Sequence, residues 1–313
     1  MKYSSIERVW PTILWRGDSP RRILINRAWA SRFAWSLRSG WLRSGHRKSR
    51  TLFAGPWVGE FGWELMNWQG FIRALRPYYE HITVCAREPS AALYDDCCDE
   101  FISHNIQGQP NAHVIFDVKN PDELWRVLDL VPAQSDHLKP LRHVPIEAQD
   151  FIRYGGAQTI TDTPDILVHA RGNPLTADRN WSKDKWNDLI CRLYRAGFKV
   201  GQIGISGSTI ELEGADDYRD RPLDETMSRI ATAQIVIGPS SGPMHLASLC
   251  GTPHLVWTDR RTYSMRRHSR DLYETCWNPL ETPAIVVDEY GFDPPVDFIY
   301  RTCIEFLCRN KGL

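Results

Sequence analysis

The sequence predicts an α/β protein of two Rossmann-like domains, and three observations support this. Short β-branched runs alternate with amphipathic helical patterns on both sides of a stretch rich in Pro, His, Gln and Gly, Val131 to Pro164. That alternation builds parallel sheets flanked by helices. The 313 residues, 42% of them hydrophobic, are enough to fill two cores. Finally, Gly238 to Pro253 reads as turn, helix and turn between two apolar strands, the unit from which such sheets repeat.

The expected division is a basic extension over residues 1–50, a first domain over 51–150, a second over 151–292 and a terminal helix over 293–313. The extension holds Lys2, Lys48 and ten arginines against Glu7 and Asp18, a net +10, so the neutral chain carries −10 elsewhere. Trp29, Phe33, Leu37 and Trp41 recur every four residues, which predicts a helix with one apolar side. An anionic membrane surface, DNA and the chain's own acidic body are all partners that such a segment suits.

From Thr51 the α/β pattern begins. Leu52–Ala54 is apolar and strand-like, Glu64–Leu75 helical, Ile82–Ala86 a second strand. Val114–Phe116 and Asp122–Leu130 suggest a further strand and helix. After the link come strand Ile166–His169, a helix Lys183–Ala196 capped by Ser182 and ended by Gly197, and strand Lys199–Ile203. Leu223, Met227, Ile230 and Ala233 give the next helix one buried face, leading into strand Ile235–Ile237. Ser240 or Ser241 can cap the following helix, Pro243 suits its first turn and Gly251 its end, before strand His254–Trp257. Val296, Ile299, Cys303, Phe306 and Leu307 form the stripe of the last helix.

The strand, loop and helix at Ile235–Cys250 aim free backbone N–H groups and the positive helix end out of the loop. Phosphate oxygens bind such a site, and Gly242 lets them approach the backbone. An ordinary strand–helix connection with a serine cap accounts for the same pattern.

The segment resembles the donor-site motif of the heptosyltransferase-like glycosyltransferases of family 9. Ser241, Gly242, Met244, His245, Gly251 and Pro253 match that motif, whereas Ser240 stands where the family usually has an acidic residue contacting the donor sugar. The resemblance implies a GT-B-like fold, two Rossmann-like domains facing a cleft, with the terminal helix crossing back to the first domain. It implies inverting transfer from a nucleotide-diphosphate sugar, which serves as co-substrate, with no cofactor and no essential metal. Ser240, Ser241, Gly242, Met244 and His245 are then expected to bind the donor.

The family's catalytic Asp follows the first strand. Aligning on Arg73-Ala74-Leu75 selects Glu64, and aligning on the Gly-acid pair selects Glu60; Glu64 is the preferred of the two. A carboxylate near Trp57, Trp63 and Trp68 can be desolvated and so acquire the pKa a base needs, while an acid there also stabilises a helix dipole. Asp178-Arg-Asn-Trp181 resembles the family's Lys/Arg-Trp element, which makes Arg179 a donor-phosphate contact. Arg171 is a second candidate, since paired guanidinium groups neutralise a departing diphosphate. His169, Arg260 and Arg261 are further candidates for phosphate or acceptor contacts, although a solvated charge run explains the arginines equally.

No apolar run approaches the roughly 20 residues that span a bilayer, and no secretory signal is evident. The expected location is cytoplasmic, with peripheral attachment to the inner face of a membrane as an option. The eight cysteines have no metal-ligand spacing and are expected to pack, Cys191, Cys250 and Cys303 among them. The acceptor expected is a glycan or glycolipid; a modified base in DNA, a nucleotide-sugar epimerase and a noncatalytic nucleotide-sugar-binding protein are the alternatives.

Overall fold

A computed structural model describes residues 50–141, 144–156, 160–260 and 269–310. Residues 1–49 of the basic extension and Arg261 lie outside them. The described chain divides into two compact units, one ending at Phe151 and the other beginning at Ile152.

The first unit is built on a four-stranded parallel sheet. Its strands are β1 (Thr51–Ala54), β2 (His81–Ala86), β3 (Glu100–Ser103) and β6 (Asp136–Leu138), in the order β3-β2-β1-β6. All three pairings are parallel. β1 and β2 bury almost every residue, as strands covered on both faces do. The strand expected at Val114–Phe116 exists as β5, but pairs antiparallel with β4 (Gln109–Asn111) in a separate hairpin. Its turn places Ala112 at φ 48°.

The single helix expected over Glu64–Leu75 is two. α1 (Phe61–Asn67) ends at Trp68, whose φ of −131° is not helical, and α2 (Gln69–Leu75) starts again beyond it. Tertiary contacts override helical propensity here. The Trp68 ring is fully buried and stacks on Trp57 at 5.5 Å between centroids. Asn67 donates to the Leu141 carbonyl at 2.7 Å and accepts from the Val144 N–H at 2.6 Å. α3 (Pro121–Asp129) follows the hairpin and buries Leu124 and Val127.

The second unit holds a six-stranded, wholly parallel sheet. Its strands are β7 (Ile166–Val168), β8 (Val200–Gln202), β9 (Asp216–Asp217), β10 (Ile235–Pro239), β11 (His254–Trp257) and β12 (Ala284–Val287). The order β9-β8-β7-β10-β11-β12 is the doubly wound Rossmann order, with its switch point between β7 and β10. The expectation of two Rossmann-like domains is borne out.

α4 (Lys183–Arg195) starts at Ser182, whose hydroxyl accepts from the Lys185 N–H, and Gly197 follows its end at φ 90°. α5 (Leu223–Thr232) buries Met227 and Ile230, and α6 (Gly242–Cys250) closes on Gly251 at φ 74°. α7 (Ser269–Cys276) precedes β12, and α8 (Val296–Asn310) is last. Ile299, Cys303 and Leu307 of α8 lie in this unit's own core with Trp181, Trp186 and Trp257. Those three indoles are fully buried, with centroids 5.0–5.4 Å apart. Cys250 and Cys303 are buried as expected, whereas Cys191 is exposed on α4. No described helix is long and apolar enough to cross a membrane.

Candidate functional site

In a doubly wound sheet the crossovers leave β7 and β10 in opposite directions, opening a crevice at their carboxyl ends. The expected cradle lies there. Beyond β10, the Ser240 N–H donates to the Trp257 carbonyl at 2.8 Å, prolonging the strand ladder by one residue. The chain then turns through Ser241 into α6. Ser241 occupies the N-cap position without capping the helix, contrary to the sequence expectation. Its hydroxyl instead lies 2.9 Å from Nδ1 of His169, the residue after β7. No side chain caps α6; Pro243 has no N–H, and those of Met244 and His245 donate to the Ser241 carbonyl at 3.1 Å, so of the first turn it is the Gly242 N–H that keeps its capacity for an anion.

Arg179 comes to the same place. Its Nη2 donates to the Ser240 carbonyl, its guanidinium lies 4.7 Å over the Phe292 ring, and its buried Nε–H has no acceptor among the described residues. Nothing in the local sequence marked Phe292, more than a hundred positions away. Arg171, the second arginine expected at the donor, reaches into the turn that follows it. Its guanidinium donates to the Thr176 carbonyl at 2.9 Å and to Asn180 Oδ1 at 2.6 Å, tying down the turn that carries Arg179. Asn180, which separates Arg179 from Trp181, thereby has a structural function.

His169 and His245 are both buried and neutral. Burial, reinforced by Arg171, pushes His169 down to about 3; burial with Arg179 and His254 does the same to His245. His245 sits among Tyr273 and Trp277, 5.6 and 5.1 Å away between centroids, and its Nδ1 has no partner among the described residues. Met244 is fully buried beneath the helix. A Cβ on Gly238 would meet its sulfur at 3.0 Å, so the glycine permits this packing. Gly242 opens the helix as its first residue.

The arginines after β11 are already engaged where they are described. Arg260 pairs with Asp288 at 3.9 Å, and Arg270, in α7, with the same carboxylate at 2.7 Å. The hollow beside them is lined by these two arginines and by Asp271, Asp288 and Glu289, so its described lining is not cationic.

In the first unit, the buried segment Gly55–Gly59 joins β1 to α1, and the exposed Glu60 ends it. Glu64, one helical turn later, is only 2% exposed. It accepts from Tyr94 Oη at 2.8 Å and from Ser90 Oγ at 2.9 Å, partners that sequence spacing did not reveal. Burial pushes its carboxyl up to about 7, against the opposing pull of those two hydrogen bonds and of Arg87. The two glutamates are therefore unlike: one reaches solvent, and the other is an enclosed group that titrates near neutrality.

Solved glycosyltransferases share this fold. A family 9 glycosyl transferase from Veillonella parvula aligns over 82% of this chain and 89% of its own, with a TM-score of 0.50 at 13% identity. The ADP-heptose LPS heptosyltransferase II of E. coli aligns over 83% and 99%, with a TM-score of 0.53 at 13% identity. At such identity the likeness is one of fold. No protein-family model matches the chain, and no curated protein sequence does.

Proposed function

We propose that this protein is a glycosyltransferase, taking a sugar from a nucleotide-diphosphate sugar and passing it to a hydroxyl of a glycan or glycolipid with inversion. The observation that carries the reading is the uncapped N-terminus of α6 at the β7/β10 switch point, with Arg179 anchored on the Ser240 carbonyl beside it. The family 9 resemblance of residues 240–253 converges on the same residues.

In this reading the diphosphate lies at the positive end of α6 against the Gly242 N–H, and Arg179 supplies the positive charge that its departure requires. Ser241 and His169 shape the floor as a neutral pair. His245 presents an unprotonated ring, so its contribution is hydrogen bonding. On the first unit, Glu60 takes the proton of the acceptor hydroxyl as that oxygen attacks the anomeric carbon and the bond to the diphosphate breaks. Exposure favours Glu60 for this step, whereas alignment favours Glu64; a base must reach the hydroxyl it deprotonates.

The test is a panel of nucleotide-diphosphate sugars assayed with the full chain for binding and for slow hydrolysis. At least one donor should bind and release its sugar, and Arg179→Ala should weaken that binding. Failure of every nucleotide sugar to bind would overturn the proposal. Interconversion of donors without release would reassign the chain to an epimerase, and binding without turnover to a binding protein.

A further inference from the structure

The segment that carries Glu60 is held by one side chain from within or immediately after each of the other three strands of its sheet. Arg87 is the residue after β2, and its Nη2 and Nη1 donate to the carbonyls of Val58 and Gly59, each at 2.8 Å. His104 is the residue after β3, and its Nε2 donates to the Trp57 carbonyl at 2.8 Å. His137 lies within β6, and its Nε2 donates to the Gly55 carbonyl at 3.0 Å. Four of the five carbonyls between β1 and Glu60 thus end on one of these side chains.

The amide side is held as well. The N–H groups of Gly55, Trp57 and Glu60 donate to the carbonyls of Leu138, Cys85 and Ala112 at 2.9, 2.8 and 2.5 Å. There is no slack for a side chain: a Cβ on Gly59 would lie 2.1 Å from the Ala112 oxygen. Buried carbonyls need partners, but backbone or water usually supplies them. Three long polar side chains converging on one five-residue loop exceed what turning the chain requires. The exposed residue delivered at its end is Glu60.

We propose that Arg87, His104 and His137 are positioning residues that fix Glu60 for proton transfer, with Arg87 the principal clamp because it grips the two peptides next to it. This rests on the reading of Glu60 as the base. Both histidines act as neutral donors: burial pushes each down to about 4, and Nδ1 of His104 accepts from the Ile106 N–H at 3.2 Å. Arg87 has the ionised form of Glu64 as its counter-charge. When ionised, the enclosed glutamate thus adds an electrostatic hold on the clamp.

The experiment compares wild type, Arg87→Ala and Arg87→Lys as full chains, with Glu60→Gln alongside. Readouts are donor affinity, turnover, and backbone hydrogen exchange over residues 55–60. Arg87→Ala should keep donor affinity within about twofold while turnover falls about ten- to a hundredfold, the loss expected when a catalytic group is displaced by about an ångström. Exchange at Glu60 should quicken, and guanidinium ion added to Arg87→Ala should restore turnover. Arg87→Lys, with its charge on one nitrogen, should remain impaired, and it carries the comparison if the alanine variant folds poorly.

Parallel loss of donor affinity and turnover, unchanged exchange at Glu60, or guanidinium without effect would each overturn the clamp. A Glu60→Gln variant with full turnover would overturn the assignment of the base, and with it the positioning role. If wild type binds no nucleotide sugar, the proposed function fails instead, and the exchange comparison still decides whether Arg87 holds the loop.

Discussion

The Ser241 hydroxyl and Nδ1 of His169 meet at 2.9 Å across the β7/β10 junction, joining the two strand ends between which the donor is proposed to lie. Since burial keeps His169 neutral, the contact is an ordinary hydrogen bond, not an ion pair. Removing it leaves a buried ring nitrogen without a partner, at a cost of about 1–3 kcal/mol. Ser241→Ala should therefore lower the thermal midpoint and weaken nucleotide-diphosphate-sugar binding together, as read by calorimetry. Unchanged stability would show that water or a rotated ring replaces the hydroxyl.

Arg179 is the cation of the cradle. A charge-assisted hydrogen bond to a phosphate contributes about 1.5–3 kcal/mol, so Arg179→Ala should weaken donor binding roughly 10- to 100-fold. Arg179→Lys should recover only part of this, because a single ammonium cannot hold the Ser240 carbonyl, lie flat on Phe292 and reach a phosphate at once. Equal binding by wild type and alanine variant in titration calorimetry would remove Arg179 from the donor site.

The second unit was more legible than the first, for physical reasons. Its strands at Ile166, Ile235 and His254 are short, apolar and followed by turn residues, so periodicity and capping located both the sheet and the cradle. The first unit hides its signals. β6 is only Asp136-His137-Leu138, too polar to register as a strand within a Pro-rich stretch, although it pairs directly with β1. The break at Trp68 depends on the buried Trp57 partner and on the grip of Asn67 on Leu141 and Val144, none of which local propensity contains. Ser240 and Ser241 show the limit at the cradle itself. Spacing placed Ser241 at the N-cap, but only the fold reveals that its hydroxyl turns to His169, seventy-two residues away.

Glu64 makes stability depend on pH with a definite sign. Its carboxyl lies near 7 in the folded chain against 4.5 as the ordinary value, so the folded state holds the proton more tightly. The contribution is complete below about pH 4.5 and is lost as pH rises through about 7. For a shift of this size it amounts to about 3 kcal/mol. Glu64→Gln cannot ionise and should flatten this part of the profile, with the wild-type minus variant difference becoming less favourable between pH 5 and 8. Denaturant titrations at three pH values would measure it; identical slopes for the two proteins would show that the carboxyl is ionised throughout.

Glu60 and Glu64 also separate by what each does to turnover. General-base removal typically costs about 10²- to 10⁴-fold in rate while leaving ground-state binding nearly intact. Glu60→Gln should therefore suppress transfer at unchanged donor affinity across the whole pH range. Glu64→Gln acts through the Tyr94 and Ser90 hydrogen bonds and through Arg87, so its effect on turnover should be the smaller and should vary with pH around 7. Steady-state rates against pH for both variants distinguish the roles. A larger loss in Glu64→Gln, with the acid limb of the wild-type profile abolished, would make the enclosed carboxylate the base and require Ser90 and Tyr94 to part from it when the acceptor binds.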